Sequence, residues 1–230
     1  MKCKIFAILC FLFIISCKDN KTTTTVKHID FNSIVENDTL SFNEIPKNLN
    51  SWLEFYKRTD SLFTLSNFKA SGVILHTSVL NKSDTIPFSQ LKLKPLFEYS
   101  PNGSNYIDLW SYGNQNIPDI ARTSRLELAK IIKDGEPDQQ VVLGMKDGKR
   151  YELMFNGPTS ISDFAEWLNE DQFLISHVTK DSNNFIVELF VFDIKEKLFT
   201  NYRLNHAPSI DLDGESYIEH WITETDKLLK

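Results

Sequence analysis

Lys146-Asp147-Gly148-Lys149 sits between two short β-rich runs, Gln140 to Met145 and Arg150 to Phe155. Asp-Gly in that position is a strong hairpin signal, because glycine supplies the positive φ of a tight turn, and a type I′ turn is the expected form. A hairpin fixed there commits the middle of the chain to an antiparallel sheet, and the neighbouring segments have to be compatible with one. They are: 17 Phe, 7 Tyr and 4 Trp supply large apolar area, and aromatic and β-branched enrichment favours strands over helices.

The segment Phe97-Glu98-Tyr99-Ser100-Pro101-Asn102-Gly103-Ser104, followed by Asn105 to Tyr112, reads as a strand end, a Pro-Asn-Gly turn and a return strand. Proline presets φ and glycine permits φ > 0. This stretch resembles the strand-turn-strand core of TolB-type and WD40-like β-propeller repeats, in which an aromatic-Ser-Pro-Asp/Asn-Gly core precedes an apolar strand. A second copy, without Pro and Gly and with a turn one residue shorter, runs from Ala165 through Trp167-Leu168-Asn169-Glu170-Asp171 to Ile175.

Tyr99 and Trp167 stand 68 positions apart, whereas a blade takes about 40 to 45 residues, so an insertion is implied. The natural place is 113 to 138, where Ala121 to Lys133 suits either a helix or a strand. After Trp167 come Phe185 to Ile194 and Leu198 to Leu204, joined by Lys195-Glu196-Lys197. Residues 97 to 204 therefore parse as two four-stranded antiparallel sheets resembling propeller blades. Two blades do not close a ring, so an open sandwich of the two is expected.

Before this region, Trp52, Phe55 and Tyr56 at helical spacing indicate a short helix over about 49 to 58, capped by Asn48 or Asn50. Phe68 to Leu80 is β-rich, Asn81-Lys82-Ser83-Asp84 reads as a turn, and Thr85 to Leu93 as a return limited by Pro87 and Pro95. At the other end Tyr217, Ile218, Trp221 and Ile222 indicate a C-terminal helix covering one sheet. The expected fold is mainly β, two antiparallel propeller-blade-like sheets with a short N-terminal and a C-terminal helix, in one domain over 41–230.

The first forty residues carry a different message. Lys2 and Lys4 precede an eleven-residue run, Ile5 to Ile15, that is apolar apart from Cys10. A bilayer span needs about 20 apolar residues, so the run suits the h-region of a cleaved signal peptide over 1–16. Ile14-Ile15-Ser16-Cys17 resembles the lipobox of bacterial lipoproteins. The resemblance implies that the Cys17 thiol is diacylated with fatty acids such as palmitate, that the peptide before it is removed, and that the new amino group is acylated too. Two or more acyl chains hold a protein firmly to a membrane. Lys18-Asp19-Asn20 resembles the charged tether of some Gram-negative surface lipoproteins. Residues 17–40, with Lys21-Thr22-Thr23-Thr24-Thr25, read as the lipidated linker.

The three cysteines are Cys3, Cys10 and Cys17, so the mature body has no disulfide, no cysteine nucleophile and no thiolate metal site. The formal charge of −6 becomes more acidic once Lys2 and Lys4 are removed, which gives a nucleic-acid partner no basic surface.

His28, His76, His177, His206 and His220 include no pair at metal-binding helical spacing and no His-Glu-x-x-His, so no metal or other cofactor is expected. Asp211-Leu212-Asp213-Gly214 has the look of a calcium loop, with Ser209 first and His220 twelfth, but the twelfth place needs a bidentate carboxylate. Asp163, Glu166, Glu170 and Asp171 cluster around Trp167, the arrangement a glycoside hydrolase would use, although acids on a turn account for them equally. Trp110 and Trp167 are read as core. The expectation is a lipid-anchored protein of the bacterial envelope, at the outer membrane, with a binding or scaffolding role toward an envelope protein or glycan and no catalytic residue. The alternative is an envelope glycan hydrolase using the acids near Trp167.

Overall fold

Apolar residues alternate along the longest strands, and that period of two decides which face of a sheet can be buried. The computed structural model describes residues 29–31, 34, 36–75, 81–82, 88–113, 123, 127–128, 131–132, 138–145, 147–182, 184–210 and 216–224. Within them are β1 (Phe68–Leu75), β2 (Asn81–Lys82), β3 (Glu98–Tyr99), β4 (Asn105–Asp108), β5 (Gln139–Met145) and β6 (Arg150–Asn156). They continue with β7 (Ser160–Ile161), β8 (Ala165–Trp167), β9 (Gln172–Asp181), β10 (Asn184–Asp193) and β11 (Leu198–Leu204). The helices α1 (Lys47–Lys57) and α2 (Tyr217–Glu224) flank them.

The protein is mainly β, with two antiparallel sheets. One is five-stranded in the order β2-β6-β5-β4-β3; the other is six-stranded, β1-β11-β10-β9-β7, with β8 also on β9. Each contains a meander of four consecutive strands, β3 to β6 and β8 to β11, and each gains one strand from residues 68–82 on its outer edge. The sheets are thus larger than the four strands expected of each. The expected turn at Asn81-Lys82 is instead a strand paired with Glu152 and Tyr151, and the expected return strand holds a 3₁₀ turn at Phe88–Gln90. The physical reason is a crossover. β1 finds its partner in β11, more than a hundred residues on, and the chain then passes to the other sheet, a choice that local composition does not encode.

On β9, Phe173 and Ile175 face the five-stranded sheet, where they join Tyr106, Leu143 and Leu153 in one core. Leu174 and Val178 face the opposite way, into a second core with Leu49, Trp52 and Phe68. The six-stranded sheet is therefore the middle layer, between the other sheet and α1, and Trp110 and Trp167 lie in the inter-sheet core. The edges β3 and β8 also touch. The Trp167 indole N–H donates to Glu98 O at 2.9 Å, and Asn102 N–H donates to the Glu170 carboxylate at 3.2 Å.

Both turns expected in tight form are tight. Gly103 has φ +67° and its N–H donates to Ser100 O at 2.7 Å. Gly148 has φ +82° and its N–H donates to Met145 O at 2.9 Å. The second is not type I′. That form needs positive φ at both central residues, and Asp147 is not among the residues with positive φ.

The segment read as linker to residue 40 packs on the body at its described residues Ile29, Phe31 and Leu40. Gln172 brackets Ile29 with bonds of 2.9 Å to its N–H and its carbonyl, and Phe31 and Leu40 are buried in the second core. Helix α1 starts after Pro46, so Asn48 and Asn50 lie inside it rather than capping it. It buries Leu49, Trp52, Leu53 and Tyr56. Ser216 and Glu219 form a capping box at α2: Ser216 N–H donates to the Glu219 carboxylate at 2.9 Å, and Glu219 N–H to Ser216 Oγ at 3.3 Å. Of the ambiguous region 121–133, Glu127-Leu128 and Ile131-Ile132 are helical, with Leu128 and Ile132 in the inter-sheet core.

Candidate functional site

The four acids around Trp167 do not form one cluster. Asp163 lies in the short break between β7 and β8 and is 5% exposed. Its carboxylate accepts from Trp52 Nε1 at 3.1 Å, from Ser176 Oγ at 2.7 Å and from the Tyr56 hydroxyl. Burial pushes the carboxyl above the usual range, while these three donors pull it back. Burial and the nearby Asp163 charge likewise push the Tyr56 hydroxyl up. The cavity beside Asp163 measures about 20 Å³, the scale of one water molecule, which gives a sugar ring no access to the carboxylate.

The other three acids belong to the β8–β9 hairpin. Glu166 pairs with Leu174 in the sheet. Glu170 caps the neighbouring Pro-Asn-Gly turn through Asn102. Asp171 N–H donates to Asn169 Oδ1, and its carbonyl accepts from Ile194 N–H, each at 2.9 Å. Three hairpin residues and one buried anchor are not brought together on a common cleft.

Cys17, His28, His76 and Asp211-Leu212-Asp213-Gly214 lie outside the described residues. The remaining histidines each have their own separate partners. His177 is on β9, its ring against Phe190 and its Nε2 3.0 Å from Thr179 Oγ1. His206 follows β11 and pairs with Asp60 at 2.8 Å. His220 packs on Phe55 from α2. Among the described residues no three His, Cys, Asp or Glu side chains converge as metal ligands.

A groove that no sequence motif signals lies at the far end of the six-stranded sheet. Strands β9 and β10 run ten residues each, against seven in β5 and β6. The six-stranded sheet therefore has a polar overhang. The cross-strand pairs Lys69↔Arg203, Arg203↔Glu188 and Glu188↔His177 put these four side chains in one row. The row shares a face with Phe173 and Phe190, since residues two apart on a strand point the same way, and it continues past the inter-sheet core.

At the tip, residues 36–37, 69–71, 181, 184–186 and 203–207 line an open groove of about 590 Å³. That is within the size of small-ligand sites, roughly 300–1,000 Å³. The groove is bordered by charges of both signs. Its residues come from the N-terminal segment and from β1, β9, β10 and β11, so only the pairing of the strands assembles it.

Comparison with protein-family models, with curated proteins and with solved structures finds no match for this chain.

Proposed function

We propose that this is a lipid-anchored protein of the bacterial envelope, held at the outer membrane through acylated Cys17, whose mainly β body binds or scaffolds a glycan or an envelope protein. The observation that carries the binding half of this reading is the open groove at the tip of the six-stranded sheet. The anchoring half rests on the signal-like run Ile5 to Ile15 and the lipobox-like Ile14-Ile15-Ser16-Cys17. Its two sheets, each built on a four-strand meander and meeting at β3 and β8, fit the propeller-repeat resemblance of the two hairpins.

Placement of the acids favours a binder over the rival glycan hydrolase. A hydrolase needs two carboxyl groups facing one bond across about 5 to 10 Å, whereas Asp163 is enclosed by Trp52, Tyr56 and Ser176 and Glu170 caps a turn. Metabolic labelling with a fatty-acid probe tests the anchor. Label and membrane retention are expected in the wild type and lost in Cys17→Ala, and label persisting in the variant would overturn it.

A further inference from the structure

We infer that the tip groove binds an acidic sugar, a saccharide bearing a carboxylate or phosphate, with its anionic group held between Lys69 and Arg203. This rests on the reading of the protein as a tethered binder and names the ligand class of that groove.

Lys69 and Arg203 are direct cross-strand partners on β1 and β11. Like charges directly opposite each other destabilise a sheet, and such a pair is normally relieved by a carboxylate. Here none serves. Among the described residues neither side chain makes an ion pair. Glu188, opposite Arg203 on the other side, accepts instead from Asn201 Nδ2 at 2.8 Å. The Lys69 ammonium donates to the Thr39 hydroxyl at 2.5 Å, a neutral partner. Two adjacent cations lining a groove, neither held in an ion pair although Glu188 lies across from Arg203, make a seat for an anion, and Arg can grip carboxylate or phosphate with two parallel hydrogen bonds.

The rest of the lining selects a sugar as the body that carries the anion. Asn37, Ser71, Asn184 and Asn205 offer amides and a hydroxyl, matched to hydroxyl groups. Glu36 and Asp181 also border the groove and form no ion pair with Lys69 or Arg203. They are acceptors for sugar hydroxyls, and they penalise a ligand charged along its whole length. His206, in the same lining, is already directed at Asp60.

The test is calorimetric titration of the full-length protein in detergent micelles. Glucuronate, with a single carboxylate, is the carboxylate probe, glucose 6-phosphate the phosphate probe and maltotetraose the neutral control. At least one acidic probe should bind about tenfold or more tighter than maltotetraose, and weaken as salt is raised. Binding of the first alone assigns uronic acids, of the second alone sugar phosphates, and of both a site that reads charge.

Lys69→Gln/Arg203→Gln should weaken the acidic probe about tenfold or more with its melting curve unchanged. Should the double variant melt early, Arg203→Glu, at an exposed position, carries the same expectation. Equal affinity for maltotetraose, no binding of either acidic probe, or wild-type affinity in the folded variants would overturn the inference. Fractionation of the same cells keeps the two readings apart. Membrane retention through Cys17 with no acidic-sugar binding sinks the ligand class alone, whereas binding without lipid label sinks the anchor alone.

Discussion

Of the three aspartates buried among the described residues, Asp108 in the five-stranded sheet and Asp163 beside the six-stranded one are accommodated in opposite ways. Asp108 lies at the end of β4 and accepts from Arg150 on β6 at 2.9 Å, within the same sheet. It also accepts from the N–H groups of Trp110 and Ser111 at 3.1 and 3.0 Å. Among the described residues Asp163 meets no cation. Its donors are Trp52 and Tyr56, one turn apart on α1, and Ser176 on β9. The first carboxylate balances a charge that its own sheet has buried; the second ties a helix more than a hundred residues distant to the middle layer. A salt bridge of the first kind is costly to halve, and a neutral cradle of the second kind is more forgiving.

The largest effect should come from Asp108→Ala, which leaves the buried Arg150 without its partner; breaking such a pair costs about 3–5 kcal/mol. Urea unfolding measures it. Asp108→Leu/Arg150→Met should recover much of that loss, since apolar replacements of a whole buried pair are often tolerated. A loss below about 1 kcal/mol for the single variant would remove the contrast between the two aspartates.

Asp163→Ala should cost less, about 1–3 kcal/mol, through unsatisfied donors on Trp52, Tyr56 and Ser176. Asp163→Asn should cost less again, and it sharpens the comparison through pH. Burial raises both the Asp163 and the Asp108 carboxyl. A carboxyl raised on folding keeps its proton in the native state after the unfolded chain has lost it. Stability therefore falls as pH rises from the ordinary carboxylate range through the folded value. Denaturation midpoints across that window should fall less steeply in Asp163→Asn, and an unchanged slope would count against the burial effect.

A third test targets packing in the five-stranded sheet alone. Tyr106 lies directly over Gly144, its cross-strand partner, and a Cβ on Gly144 would come within 1.9 Å of the ring. Gly144→Ala must push Tyr106 off its stack with Phe97, whose centroid is 4.8 Å away. The expected loss is about 1–3 kcal/mol, the usual range for overpacking, with a changed near-ultraviolet circular dichroism spectrum. Retention of wild-type stability would show that the sheet yields there.

The smallest effects belong to the hairpin acids. Glu166→Gln and Asp171→Asn should each stay within about 0.5 kcal/mol and leave localisation unchanged. Loss of a glycan-cleaving activity in either variant would revive the hydrolase reading.

The β character, the hairpins and the burial of Trp110 and Trp167 were legible along the chain. These follow from local rules: glycine at Gly103 and Gly148 fixes turns, and a period of two fixes faces. The capping box of Ser216 and Glu219 was also legible in the Ser-x-x-Glu spacing, though hydrophobic periodicity alone pointed to α2. Long-range packing settles that β1 joins β11, that β2 crosses to the other sheet, and that Asp163 is an internal anchor rather than a hairpin acid. It alone set Lys69 opposite Arg203 and assembled the tip groove. Those pairings join residues from about seventy to more than a hundred positions apart, and their choice depends on which burial is jointly best for the whole chain, a quantity that no local window of sequence contains.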